Sequence, residues 1–412
     1  MPIGRLPSIT KYYRADMLDR GNARRVSYLA YAPFVGFAFI LPFPGTVAFR
    51  LVCLSLCVVV VAMNWRTLDI PKWPCRGAMV LWAAVACGSL LYATDFRYSL
   101  GELKNEVGYT LLTFWVFLAF TRDDNRLRAV LFSIALSASV IAIWAVSLRL
   151  KTGYWDEVAR HGGSGAFGSL SVMLVPVLVV LWFIWSRARL VWICVAFVSL
   201  VAAYFSYQRA VWPIFGIQAL LTAYLLSRRY RIAPNRKIRL RGAVVAVLIF
   251  AAGSWFSQGA KVASYGAAAT LERDSRVIQW PAVIHRILEN PLSGAGFGRE
   301  AMKLGHPDLI TPEFPHFWHA HNVFLNYGLE MGLLGSVVLM VLFAALIWRF
   351  LRMNSAGDND VSVIGLAGVL VVVAVVFRNL TNDFFVRDAS LLFWAICGAL
   401  FGVALRKLRR QA

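Results

Sequence analysis

Charge is scarce in this chain. Only 15% of its 412 residues are Asp, Glu, Lys or Arg, while 59% are hydrophobic. Length alone suggests two or three soluble domains, but so little charge over so much apolar sequence excludes them. Cysteine is also sparse: six occur, at positions 53, 57, 75, 87, 194 and 397. None falls in an expected outer loop, so no structural disulfide is expected. Cys53 and Cys57 stand four apart on one helical face, where they serve as small apolar packing residues rather than a metal pair. Several other patterns are missing. There is no H-E-x-x-H pattern, no Asp-x-Asp in an outer loop, no strand leading into a dinucleotide fingerprint, and no internal repeat. Residues 1–25 are basic and polar, Val26 opens a span that stays, and no cleavable signal peptide is expected.

What is present is a recurrence of apolar runs of about 17 to 21 residues, the length at which a helix crosses a bilayer. Many of the 15 Trp lie near run ends, as interfacial anchors do. The fold expected is all-α, a polytopic integral membrane protein of about twelve transmembrane helices. The spans fall at 26–43, 46–63, 77–94, 108–121, 129–148, 167–186, 189–206, 210–227, 242–258, 321–349, 361–378 and 388–405, the fourth being short. The first third of the 321–349 run reads as a separate half-helix. In domain terms, 1–258 holds helices one to nine, 259–320 is a helical loop, and 321–412 holds helices ten to twelve of one integrated membrane domain.

Net charge is +21. With the N-terminus placed inside, most of the Lys and Arg fall on the cytoplasmic side, which fits both termini cytoplasmic. Clusters such as Arg228-Arg229-Tyr230-Arg231 are therefore topology signals that meet anionic lipid heads, and nucleic acid is not the expected partner.

The loop 259–320 lies on the outer side, and at about sixty residues it is too long for a passive turn. A helix is expected from Ser275 through Pro281 to Glu289, stopped by Asn290-Pro291, before the tight turn of Gly294, Gly296 and Gly298. The loop 149–166, with Arg160-His161-Gly162-Gly163-Ser164-Gly165, reads as a polar linker or a hinge.

Arg209 sits between two spans with almost no loop, where an ionisable group either binds a partner or snorkels to the interface. Arg276 opens the loop helix, with Arg273 before it and Arg286 ten residues on. Guanidinium forks suit phosphate oxygens, and ion pairs with Glu272, Asp274 and Glu289 are the plainer alternative. His321, followed by Asn322, is able to accept a proton from a hydroxyl or to serve as a boundary residue. His316 and His319 precede it, but the spacing does not make a metal site. Asn326 and Glu330 follow on the same helix, Glu330 to orient the site or to cap a break at Gly332. Arg378, Asn379 and Asp383 mark the last outer loop, lining the same cavity or capping a helix.

Three stations occur in order: Ser206-x-x-Arg209; Arg276-x-x-x-Trp280 leading to Asn290-Pro291-Leu292-x-Gly294-x-Gly296-x-Gly298; and His321-Asn322-x-x-Leu325-x-x-x-x-Glu330-x-Gly332. Together they resemble the O-antigen ligase and O-antigen polymerase superfamily, over about residues 195–345. The resemblance implies a glycosyltransferase that takes glycan from undecaprenyl diphosphate on the periplasmic side of the Gram-negative inner membrane. Ligases of the family pass it to a sugar of the lipid A-core, polymerases to another lipid-linked glycan, and a third branch to Ser or Thr of proteins. The size of this chain is similar to the ligases, so O-antigen ligase is the expected activity, metal-independent, inverting and without a cofactor. The expected partners are the undecaprenyl-diphosphate-linked donor, the lipid A-core acceptor and membrane lipids. On this reading His321 is the general base, Arg209 and Arg276 bind the diphosphate with Arg286 as helper, and His319, Asn322, Glu330 and Asp383 support them. A hydrophobic cleft for the lipid tail is expected near the long loop. A transporter or flippase is the alternative of a different class.

Overall fold

The computed structural model describes residues 30–156, 162–229, 244, 275–313 and 317–411. Helices account for nearly all regular structure there, and no strand occurs among the described residues. In chain order they are α1 (Ala32–Ile40), α2 (Val47–Met63), α3 (Arg76–Gly88), α4 (Phe96–Glu102), α5 (Tyr109–Phe120), α6 (Asp124–Thr152), α7 (Ser164–Ile184), α8 (Arg189–Phe205), α9 (Val211–Arg229), α10 (Ser275–Glu289), α11 (Ala301–Gly305), α12 (Val323–Asn354), α13 (Asn359–Asn379) and α14 (Arg387–Gln411). Six segments are long and apolar enough to cross a membrane: α6, α7, α12, α13, α14 and Ser186–Phe205. Val47–Met63 and Arg76–Tyr92 are shorter apolar helices. The expected span 242–258, apart from residue 244, and His316, Arg273, Glu272, Asp274, Tyr230, Arg231, Arg160 and His161 lie outside the described residues.

The helices begin where the sequence supplies caps. Asp123 accepts the Arg126 N–H at 3.0 Å to open α6, and Asp358 accepts that of Val361 at 2.9 Å to open α13. Gly153, at φ 81°, closes α6 in the left-handed conformation.

One expectation needs revision. The short fourth span, 108–121, is the second half of a longer helical stretch. Asp95 caps α4 by accepting the Tyr98 N–H at 2.9 Å, and a π-helical segment, Leu103–Gly108, joins α4 to α5. The wider turn carries Glu106, whose two carboxylate oxygens each lie 2.7 Å from the Arg387 N–H at the start of α14. Such π segments favour placement of a specific side chain over ideal helix geometry.

Buried α14 lies at the centre, against α5, α13 and α6, while α13 packs on α12 and α7. Association among apolar helices depends on close van der Waals packing, since lipid is as apolar as the interface. Gly398 and Gly402, four apart on α14, allow that approach to α5. A Cβ at either would stand 2.4 Å from the Phe114 carbonyl or 2.6 Å from that of Thr121. Arg50, alone within α2, is buried and pairs with Asp388 at 3.6 Å.

The half-helix at the start of α12 is real. Gly332 has φ 71° and ψ −175° inside the run and separates 323–331 from the long remainder. Few residues other than glycine adopt that conformation. The break leaves carbonyls unpaired, and the segment 291–298 satisfies them. Ala295 N–H donates to the Leu329 carbonyl at 2.8 Å and Gly296 N–H to that of Glu330 at 3.0 Å. In return, the Leu333 N–H donates to Pro291 at 2.8 Å. The glycine turn is therefore a plug for a broken helix. A Cβ on Gly294 would sit 2.4 Å from the Glu330 backbone.

Candidate functional site

The site gathers at one end of the bundle, where α7, α9, α12 and α14 begin, α13 ends, and the 290–322 loop crosses. His321 ends that loop with φ 49°, a left-handed conformation that costs a non-glycine residue roughly 1–2 kcal/mol. Three contacts hold it there. Its N–H donates to Nδ1 of His319 at 3.2 Å. The rings of His319 and His321 lie 3.9 Å apart between centroids, and Phe317 packs on His321 at 5.1 Å. Asn322 then caps α12, accepting the N–H groups of Phe324 at 2.9 Å and Leu325 at 3.3 Å. Its amide reaches across to the Leu380 carbonyl at 3.0 Å. The His-Asn dipeptide thus turns the chain and starts the helix in one step.

His319 is buried. Burial first, then the charge of Arg299, the neighbouring His321 and the charge of Arg276, push its pKa down to about 2. It is a neutral imidazole at any physiological pH. Nε2 of His319 lies 3.0 Å from Arg299, and Nε of Arg299 is 3.1 Å from Asp383. Asp383 is buried, which raises its pKa against the opposing charge of Arg299. It also accepts a short hydrogen bond from Asn326, whose own carbonyl takes the Ala320 N–H at 2.8 Å. Glu330, buried at the last turn before the break, receives the Gly298 N–H on its carboxylate. It stands at the break and touches the glycine turn that fills it.

The arginines divide. Arg276, on the first turn of α10, acts electrostatically on both His319 and Arg378, so it stands within range of each. Arg209 is exposed in the 206–210 turn, with no side-chain hydrogen bond or ion pair among the described residues. Its neighbour Gln208 bridges from Ser164 (2.9 Å) to Arg378 (2.9 Å). Arg378 is 1% exposed and donates also to the Gly165 carbonyl at 3.0 Å and to Ser169 at 3.3 Å. Its Nη1 has no partner, and no carboxylate pairs with it among the described residues. Arg286 is not brought to this cluster. It sits near the other end of α10, bonded to Asp308 and 3.2 Å from Glu289.

Arg299 was the residue that sequence reasoning passed over. The available signal was an arginine directly after the glycine turn. Its partner Asp383 is 84 residues away, too far for any local pattern to join them.

A second feature is an apolar cavity of about 710 Å³ between α7, α8 and α9, lined by Leu174, Leu178, Leu200, Tyr204, Trp212 and Phe215 among others. Consecutive α8 and α9 diverge: α8 packs on α6 and α7, whereas α9 packs on α7 and α13. The cavity lies beside the turn that carries Arg209.

A search of curated proteins finds no match to the chain. Residues 194–340 match the family model described as O-antigen ligase, a stretch that includes Arg209, Arg276, Arg299, both paired histidines and the broken helix. The match covers less than half of the chain; with six helices long and apolar enough to cross a membrane, it supports a place in the O-antigen ligase superfamily, a family that suggests a membrane enzyme acting on lipid-linked glycans.

Proposed function

We propose that this protein is an O-antigen ligase. It moves a polysaccharide from undecaprenyl diphosphate to a sugar hydroxyl of lipid A-core, at the periplasmic face of a Gram-negative inner membrane. The observation that carries the reading is that Arg276, Arg378 and the Arg209 turn lie near the buried, neutral His319. Arg209 and Arg378 have no carboxylate partner among the described residues, and guanidinium groups suit the oxygens of a diphosphate.

The lipid diphosphate is already a competent leaving group, so the protein has three tasks: to hold it, to neutralise its growing charge and to activate the acceptor. Arg209 and Arg276 grip the diphosphate oxygens. Arg286 stays with its carboxylates. His321 takes the proton from the acceptor hydroxyl as that oxygen attacks the anomeric carbon. The bond from that carbon to the diphosphate oxygen breaks on the opposite face, and undecaprenyl diphosphate departs with the electron pair. A single displacement inverts the anomeric centre and requires no metal. The cavity between α7, α8 and α9 suits a polyprenyl tail entering sideways, since Leu200 and Tyr204 on its wall are also exposed on the outside of the bundle.

The test is transfer by purified protein supplied with a lipid-diphosphate glycan and lipid A-core, with His321→Gln beside the wild type. Near-normal product from His321→Gln defeats the base assignment. The lipopolysaccharide pattern of a deletion strain separates the neighbouring chemistry. Core-only lipid with polymer held on the carrier identifies a ligase, and core plus one repeat identifies a polymerase.

A further inference from the structure

Arg299 is held more carefully than a surface arginine needs to be. Its backbone is anchored on both sides: the Gly298 N–H bonds the Glu330 carboxylate, and the Glu300 N–H donates to the Tyr98 hydroxyl at 2.9 Å. Its guanidinium is anchored as well. Nε meets Asp383 at 3.1 Å, Nη2 meets His319 at 3.0 Å, and the group lies 5.0 Å from the Trp318 ring centroid. The fold therefore aims this side chain at one face of His319.

Asp383 acts on the tripeptide His319-Ala320-His321 from two directions. Through Asn326 it fixes the Ala320 N–H; through Arg299 it fixes the His319 ring. The His319 ring, in turn, accepts the His321 N–H and packs against the His321 imidazole. No other side-chain hydrogen bond to His319 occurs among the described residues.

We propose that Arg299, steadied by Asp383, is a positioning residue for His321, acting through His319. The proposal rests on the reading of His321 as the base. Lysine cannot substitute, because one ammonium offers a point charge where the planar fork reaches a carboxylate and an imidazole at once. The competing explanation is that Arg299 merely neutralises a buried carboxylate. That role needs a charge, but not a fork.

Two measurements on the full-length purified protein separate these outcomes. The first needs no reaction. With only six histidines in the chain, ring resonances of ¹⁵N-histidine-labelled protein are assignable, that of His321 by its loss in His321→Gln. Arg299→Lys and the double change Arg299→Gln/Asp383→Asn are expected to shift the His321 resonance. The second is kcat and KM for transfer. Both variants are expected to lose about 100-fold in kcat, the scale of an ångström's misplacement, with KM for donor and acceptor within about threefold. The double change removes the buried charge imbalance, so it guards against a trivial folding defect. The proposal is overturned if either variant keeps the wild-type His321 resonance and kcat, or if the loss lies in donor KM alone. A shifted His321 in a wild-type background that transfers nothing leaves the positioning role standing and defeats the ligase reading instead.

Discussion

Arg406 and Arg378 are both buried, at opposite ends of the same bundle, and their surroundings differ. Arg406, near the end of α14, gives Nη1 to the carbonyls of Leu118, Thr121 and Gly402 and Nη2 to those of Leu68 and Ala119, at 2.9–3.3 Å. It ties off the C-terminal carbonyls of α5, where helix ends favour a cation. Around it Lys407 pairs with Asp124 and Asp360, and Arg409 with Asp69. Arg378 holds two side-chain oxygens and one carbonyl and leaves Nη1 unpartnered, with Arg276 adding positive charge nearby. One end uses its cations as staples. The other leaves a buried guanidinium nitrogen of Arg378 without a partner among the described residues.

Breaking each end should therefore fail differently. His321→Gln is expected to lower transfer about 1,000-fold or more, within the range for a lost general base together with its alignment. Antibody detection in the membrane fraction should show the protein at wild-type level. Arg209→Ala is expected to raise the donor KM by roughly 10–30-fold, the worth of a charge-assisted hydrogen bond, and to leave the melting temperature unchanged, because the side chain is exposed. A fall in Tm with normal KM would make Arg209 a staple after all.

Arg406→Met should do the reverse. Several buried carbonyls lose their donor, at a cost of about 3 kcal/mol or more, so Tm and yield drop while kcat per folded molecule stays within about threefold. Acid offers a subtler probe of the site end. His319 has a folded-state pKa depressed from 6.5 to about 2. The unfolded chain takes up that proton first, so its contribution to stability is complete above about pH 6.5 and is lost as pH falls below it. Thermal melts from pH 7.5 to 5 should decline more steeply for the wild type than for His319→Gln; parallel declines would remove His319 from the account. The smallest effect belongs to Arg286→Ala, which should change donor KM by less than about threefold, since its charge is already committed to Asp308 and Glu289. A larger change would return Arg286 to the diphosphate clamp.

Much of the architecture was legible in advance. Hydropathy placed helices where α2, α3, α6, α7, α8, α9, α12, α13 and α14 occur, because a span announces itself by length and composition alone. The loop helix ended at Glu289, before Asn290-Pro291, because proline cannot continue it. The Gly332 break was also visible, as a glycine within an apolar run behind a polar boundary. The helical extension back to Phe96 was not, since it depends on the Asp95 cap and on a π segment whose purpose is a contact between Glu106 and α14. The site divides along the same line. His321, Asn322, Arg209 and Arg276 carried local patterns. Arg299 joined to Asp383, and Gln208 joined to Arg378, are pairs from distant parts of the chain.

By itself, then, the amino-acid order determined which segments enter lipid, where helices start and stop, and which residue types were available for phosphate and proton chemistry, because each of these is a property of a few adjacent residues. Only the folded bundle decided that the glycine turn plugs the broken helix, that His319 is neutral, that Arg286 is paired while Arg209 has no carboxylate partner among the described residues, and that one carboxylate reaches both the His319 ring and the Ala320 N–H through its neighbours. Burial and partner choice arise from segments that meet only in space. Charge and hydrogen bonding are strong only where those meetings exclude water.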